Sequence, residues 1–188
     1  MSKKVILVTG ASSGIGQATA QVLAAEGHTL CLMGRNQQKL EAMQTDGSLH
    51  FCDVRDADHV AAEVQAIVQT HGRLDAVVNN AGLGYFNTIA GAPLSEWHEM
   101  VDVNIKGALN VIHACLPHLI ASSGHLINIA SVGAHHVFAN SGVYCATKHA
   151  LLAISEGLRL ELAGKINVTT ISPGPVATPF IEQTQNPK

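Results

Sequence analysis

Tyr144 and Lys148 stand four residues apart in Tyr144-Cys145-Ala146-Thr147-Lys148. On a helix that spacing is one turn, so the two side chains share a face. A free tyrosine titrates near 10, too high for efficient proton exchange near neutrality. An adjacent ammonium favours tyrosinate, and bringing the phenol toward neutrality takes about 3–4 kcal/mol. The pair reads as a proton donor with its electrostatic support, so a lowered Tyr144 pKa is expected. Ser131 follows an apolar run and offers a hydroxyl able to stabilise a developing oxyanion.

A second group of residues offers different chemistry. Thr9-Gly10-Ala11-Ser12-Ser13-Gly14-Ile15-Gly16 follows the first apolar run. Its glycines let a backbone turn sharply and approach a pyrophosphate, and a helix starting there presents free N–H groups and its positive dipole end. The same residues match G-x-S-x-G, the nucleophile elbow of α/β-hydrolases, with Ser12 as nucleophile. That reading is disfavoured because the loop follows the first strand and no H-G-G-G segment exists.

These residues need a scaffold. Val5–Val8, Thr29–Met33, Ser48–Cys52, Leu74–Asn79, His125–Ala130 and Ile166–Ile171 are short and apolar, and read as strands buried on both faces. Helical periodicity fills the gaps: Ile15 to Ala25, a segment from Asp56 to Gly72, Ser95 to Ala121, and Val143 to Ala163. Pro117 is expected to kink or break the third helix. The alternation predicts a single α/β domain over residues 1–188, a doubly wound parallel sheet in the order 3-2-1-4-5-6. Pro173 to Lys188 reads as loop.

Composition narrows the function. Hydrophobic residues make up 47% and charged residues 13%, enough for a large core. A net charge of −3 without a basic block argues against nucleic acid. No apolar run approaches the ~18 residues of a membrane span, and Val5–Val8 is too short for a signal peptide. Cys31, Cys52, Cys115 and Cys145 form no C-x-x-C pair, and the histidines are scattered. Neither a disulfide framework nor a metal site is expected, and a reducing cytoplasm is the natural compartment.

Taken in order, the motifs resemble those of the short-chain dehydrogenase/reductase family. The loop Thr9–Gly16 is similar to its T-G-x-x-x-G-x-G, Asn79-Asn80-Ala81-Gly82 to its N-N-A-G, and Tyr144–Lys148 to its Y-x-x-x-K. Asp53, Asn104, Ser131 and Pro173-Gly174-Pro175-Val176-Ala177-Thr178 fall at the family's spacing. The resemblance implies a Rossmann fold and hydride transfer between a nicotinamide cofactor and an alcohol or carbonyl. It implies catalytic roles for Asn104, Ser131, Tyr144 and Lys148, with Asn104 holding a water that relays protons to Lys148. It implies cofactor contacts from Gly10, Ser12, Ser13, Gly14, Ile15, Gly16, Asp53, Val54, Asn80, Ala81, Gly82, Tyr144, Lys148, Pro173, Gly174, Val176 and Thr178. Relatives usually continue with a further helix and strand, so the C-terminal part of the family fold is expected to be missing. A non-catalytic cofactor-binding or scaffold protein of the same fold is the alternative.

Cofactor choice is readable near the end of the second strand. NAD-binding relatives carry an acid ~20 residues beyond the glycine loop. Leu32-Met33-Gly34-Arg35-Asn36 has none there, and Arg35 offers a planar cation suited to a phosphate. NADP(H) is therefore expected. Leu83-Gly84-Tyr85-Phe86, Ala134-His135-His136-Val137-Phe138 and Phe180 are expected to line or border the substrate pocket. Apolar or small residues on several helix faces (Val103, Gly107, Val111, Ala114; Ala146, Ala150, Ile154, Gly157) predict a homodimer or homotetramer.

Overall fold

The computed structural model of the chain describes residues 3–43 and 47–180. The end of the loop expected after Pro173 lies outside the described residues. Six parallel strands form one sheet: β1 (Val5–Thr9), β2 (Thr29–Gly34), β3 (Gly47–Phe51), β4 (Ala76–Asn79), β5 (His125–Ile129) and β6 (Asn167–Ile171), in the order β3-β2-β1-β4-β5-β6. This is the doubly wound order expected. It reverses beside β1, so the loops after β1 and β4 face one crevice at the carboxyl ends of the strands.

Alternation along each strand builds two cores. Leu7, Cys31, Met33, Val77 and Leu126 point to one face, with Val60, Val64 and Ile67 of α3 (Ala57–His71) and Val111, Ile112, Cys115 and Leu119 of α5 (Ala108–Ser122). Ile6, Val8, Leu30, Leu32 and Val78 point to the other, with Ala20 of α1 (Gly14–Ala25) and Leu40 of the short helix α2 (Gln37–Glu41). Helix α6 (Gly142–Glu161) lays Ile154 and Leu158 against the first core. Asp56 caps α3 by accepting the His59 N–H at 3.0 Å, and Gly72 ends that helix with a φ of 74°.

Three expectations need correction. The two edge strands are not buried on both faces: β3 leaves Gly47 and Phe51 exposed, and β6 alternates between partly buried and exposed residues, with Ile171 46% exposed. The polar Asn167, Thr169 and Thr170 of β6 suit that place. The helix expected to break at Pro117 continues through it. Pro117 and His113, whose carbonyl loses its partner, both lie on the exposed side, where water serves that carbonyl. The departure from α geometry comes earlier: α4 (Leu94–Val101) leads into a π-helical turn, Asp102–Gly107, before α5. The third correction concerns the faces expected to hold a second subunit. Val103, Gly107 and Val111 are buried within the chain, and a Cβ on Gly107 would come within 2.6 Å of Val54 Cγ2. Leu109, Ile120 and Leu160 are the large apolar side chains left exposed on α5 and α6.

Candidate functional site

A cleft of about 1030 Å³ crosses the carboxyl ends of the strands, at the upper end of the ~300–1,000 Å³ usual for a ligand site. One end holds Arg35 and Asp53, and the other Tyr144, Ser131 and Phe180. Between them lie Gly10, Ser12, Ser13, Gly14 and Ile15 from the loop after β1, and Asn80, Ala81 and Gly82 after β4. Val54, Lys148, Pro173, Gly174, Val176 and Thr178 also line it. Of the catalytic and cofactor-contacting residues expected from the sequence, Gly16 and Asn104 are the two that do not line it.

The glycine loop is shaped by close approach. A Cβ on Gly16 would lie 2.5 Å from both Asn80 Nδ2 and Gly10 O. Gly10, at φ 63°, leaves only 2.9 Å between such a Cβ and Asn80 Nδ2. Asn80 Nδ2 donates to Thr9 O at 2.9 Å, while the Asn80 and Ala81 N–H groups donate to Thr9 Oγ1 at 3.0 Å. Asn80 therefore ties the two loops together. Helix α1 starts at Ser13 without a side-chain cap and without an acid in its first turn. Its first N–H groups face the cleft with the positive dipole end, a fit for the phosphates of a dinucleotide. Among the described residues, Ser12 Oγ has no hydrogen-bonded histidine, which removes the base a hydrolytic elbow requires.

At the other end, Ser131 begins a 3₁₀ turn (Val132–Ala134), its hydroxyl oxygen accepting from the Gly133 N–H at 3.0 Å. Tyr144 and Lys148 share one face of α6, as their spacing predicts. Lys148 is buried, with Nζ donating to Ile129 O at 2.9 Å and standing 6.0 Å from the Tyr144 ring centre. Burial holds its ammonium down at about 8. The lowered Tyr144 pKa does not appear in this arrangement. Burial raises the phenol, and a hydrogen bond with Ser131 only partly offsets that. The buried ammonium donates to Ile129 O, and desolvation of the tyrosinate is the largest influence on the phenol.

Asn104 sits in the π-helical turn, 1% exposed. Its Oδ1 accepts from the Leu83 N–H at 2.9 Å; Nδ2 donates to Leu83 O at 2.8 Å and to Thr147 Oγ1 at 3.0 Å. The side chain clamps the loop after β4 onto α6. Both Asn104 Oδ1 and Lys148 Nζ approach Gly82, at 3.3 and 3.5 Å from where its Cβ would stand.

Leu83, Phe86, Phe138 and Phe180 line the substrate end, with Phe86 and Phe180 tilted against Tyr144 at 5.3 and 6.1 Å between ring centres. The other expected pocket residues lie elsewhere. The Tyr85 hydroxyl turns away to donate to Glu99 Oε2 at 2.6 Å. His135 pairs with Ser172 at 3.0 Å, His136 and Val137 are exposed outside the cleft, and Ala134 is buried behind it. Gly84 packs against the Tyr144 ring, where a Cβ would come within 2.9 Å. Sequence reasoning missed Asn36, Lys39 and Ser141 in the lining. The first two carried a usable signal: Asn36 caps α2 by accepting the Lys39 N–H at 2.9 Å, an N-x-x-K spacing just after Arg35.

The four cysteines are buried, Cys145 beneath Gly133. Among the described residues, no helix is long and apolar enough to cross a membrane.

Known proteins place this geometry. The family model for short chain dehydrogenases matches residues 4–188. An uncharacterized oxidoreductase of Staphylococcus epidermidis is 42% identical over 190 residues, covering 98% of this chain and 83% of its own. One from Staphylococcus saprophyticus is 44% identical over 184 residues, covering 93% and 75%. An alcohol dehydrogenase from Thermococcus sibiricus, complexed with 5-hydroxy-NADP, superposes with a TM-score of 0.91 at 33% identity, covering 95% of this chain and 79% of its own. A 3-ketoacyl-(acyl-carrier-protein) reductase from Brucella melitensis, complexed with NADH, gives 0.90 at 28% identity, covering 95% and 78%. With its parallel sheet, its glycine loop and the Tyr144–Lys148 pair at one cleft, this chain belongs to the short-chain dehydrogenase family of oxidoreductases.

Proposed function

We propose that the chain is an NADP(H)-dependent oxidoreductase of alcohols and carbonyls, with Tyr144 as general acid and base. The observation that carries this reading is the convergence of Ser131, Tyr144 and Lys148 at one end of a cleft whose other end holds Arg35. A nicotinamide dinucleotide, when bound, supplies or accepts the hydride. The loop Gly10–Gly16 would hold its pyrophosphate, Asp53 and Val54 its adenine, and Asn80–Gly82, Pro173, Gly174, Val176 and Thr178 its nicotinamide half.

The chain's own residues do the proton chemistry. Burial keeps Tyr144 protonated at neutral pH, the form an acid needs in the reductive direction. Tyr144 gives its proton to the carbonyl oxygen in reduction and takes one from the alcohol in oxidation. Ser131, which lines the cleft with Tyr144, donates to the same oxygen and holds it in place. Lys148, when charged, supports the tyrosinate left behind and bonds the ribose hydroxyls. Asn104 orders the loop over Lys148, and the water relay that the family resemblance implies would run beside it.

NADP(H) is preferred over NAD(H) because the end of β2, where NAD-binding relatives carry an acid for the ribose 2′-hydroxyl, has none in Leu32-Met33-Gly34-Arg35-Asn36. Arg35, 60% exposed at its side chain, and Lys39 border that place. A charged hydrogen bond contributes about 1.5–3 kcal/mol, or roughly ten- to a hundredfold tighter NADPH than NADH. The test is fluorescence titration with both cofactors, followed by a carbonyl panel monitored by NADPH absorbance. Gly34→Asp with Arg35→Ala should reverse the preference; a Cβ at Gly34 meets nothing closer than 3.5 Å. Equal affinities in the unaltered protein overturn the cofactor assignment, and binding without turnover on any carbonyl favours the scaffold alternative. In this reading residues 1–188 act as one cytoplasmic catalytic domain. It assembles as a homodimer or homotetramer through Leu109, Ile120 and Leu160, and light scattering showing a monomer at micromolar concentration would contradict that.

A further inference from the structure

Asp53 sits between two arginines that hold it unequally. Arg55 Nε lies 3.0 Å from both carboxylate oxygens, Arg55 Nη2 lies 2.6 Å from Oδ2, and the Arg55 N–H donates to Oδ1 at 3.0 Å. Arg35 Nη1 stands 3.8 Å from the same Oδ2, beyond hydrogen-bond distance. The surrounding backbone is fixed, with the Asp56 N–H donating to Asp53 O at 3.0 Å and Asn110 Nδ2 to Val54 O at 2.9 Å. One carboxylate is thus within reach of both guanidiniums, and Arg55 takes it.

We infer that Arg55 is a specificity residue that acts through Asp53: by occupying its carboxylate, it leaves the Arg35 guanidinium free for the 2′-phosphate of NADP(H). This rests on the cofactor reading above. Without Arg55, the Asp53 carboxylate has one guanidinium left to pair with, and a small rotation closes the 3.8 Å gap. Arg35 would then meet a phosphate already neutralised, and the bare carboxylate would repel that phosphate. NADH, with a hydroxyl in the same place, feels neither effect. The direction of the Asp53 pKa agrees, held below the usual carboxylate value chiefly by the Arg55 hydrogen bonds. Glu99 Oε1 also approaches Arg55, at 3.8 Å, but it lies on α4 and does not line the cleft.

The experiment compares dissociation constants for NADPH and NADH in the unaltered protein, Arg55→Ala, and Arg55→Ala with Asp53→Asn. The expected result is a NADPH preference about five- to tenfold lower in Arg55→Ala, with NADPH weakened more than NADH, and restored in the double variant; the adenine contact of Asp53 is common to both cofactors and cancels in the ratio. Arg55→Gln, which keeps a polar stem but no charge, should lose as much preference as alanine, so the reading survives if alanine disturbs the loop. A merely structural role for Arg55 would weaken both cofactors alike. Preference unchanged in both single variants, or lost and not restored by Asp53→Asn, overturns the inference and leaves the cofactor reading standing. Equal affinities in the unaltered protein remove the cofactor reading and this inference with it.

Discussion

Two clusters in this molecule place a serine beside a titratable side chain. In the cleft, Ser131 and Tyr144 line the same wall, and Lys148 lies one helical turn beyond Tyr144. Between β3 and α3, Ser48 Oγ lies 2.7 Å from His50 Nε2, and His50 Nδ1 lies 2.5 Å from Glu63 Oε2. The second cluster has the connectivity of a serine–histidine–acid relay, yet none of its three residues lines the cleft. Ser48 Oγ is also engaged by His71 Nε2 at 3.4 Å. His59 closes on Glu63 at 3.3 Å. It satisfies polar groups where an edge strand meets a helix. The first cluster leaves a phenol and a hydroxyl facing open space. Hydrogen-bonded connectivity is thus a poor sign of a site; an exposed reactive atom with room for a substrate is a better one.

The comparison breaks if the two clusters respond alike to removal of their hydroxyls. Tyr144→Phe should lower turnover about 10²–10⁴-fold while NADPH affinity stays within a few-fold. Ser48→Ala should leave turnover within twofold. Carbonyl reduction followed by NADPH absorbance decides both, and substantial turnover in Tyr144→Phe would remove it as the acid.

Lys148 sharpens the contrast, because its cluster gives up stability for function. Burial lowers its pKa from 10.5 to about 8, so at pH 7 the folded chain bears the cost of a buried ammonium, roughly 3 kcal/mol. Between those values the unfolded chain binds a proton that the folded chain lacks, so this contribution makes stability rise with pH across that window. Lys148→Met should lose turnover and bind cofactor more weakly. It should also melt about 4–8 °C higher at pH 7, after about 1 kcal/mol for the lost bond to Ile129 O. Calorimetry should find that advantage shrinking from pH 8 to 10.5. A lower melting point at pH 7 would mean that the ammonium is better solvated than its burial implies.

Glu63→Ala addresses the other cluster. It leaves the buried His50 Nδ1 without its acceptor, which costs about 1–3 kcal/mol, or a melting point roughly 2–12 °C lower. Turnover at a temperature where the variant is folded should be unchanged. A specific loss of activity would mean that the seam communicates with the cleft.

The strand order, the glycine loop and the Tyr144–Lys148 face were legible in the residues because each rests on a local rule: period-2 and period-3.6 patterning, turn chemistry and one-turn spacing. The exposure of β6 is legible only in part: Asn167 and Thr169 are polar and exposed, but Ile171 is apolar and exposed as well, so only its place at the sheet edge decides it. Arg35 followed from a missing acid at a counted position.

Other features depend on distances between segments remote in the chain, and only the tertiary structure decides them. Asn104 clamps Leu83 and Thr147 because a π-helical turn carries it against both, and no local pattern marks where a helix widens. The Tyr144 phenol rises because of burial, a sum over many neighbours, while the Lys148 ammonium one turn away is bonded to Ile129 O. Tyr85 and Phe86 are adjacent aromatics, but one turns to Glu99 and the other to Tyr144. Sequence by itself determined which chemical groups the cleft would contain. Packing decided which of them face the cleft and which are spent holding its walls, because desolvation and hydrogen-bond partnership are set by every element that closes around a side chain.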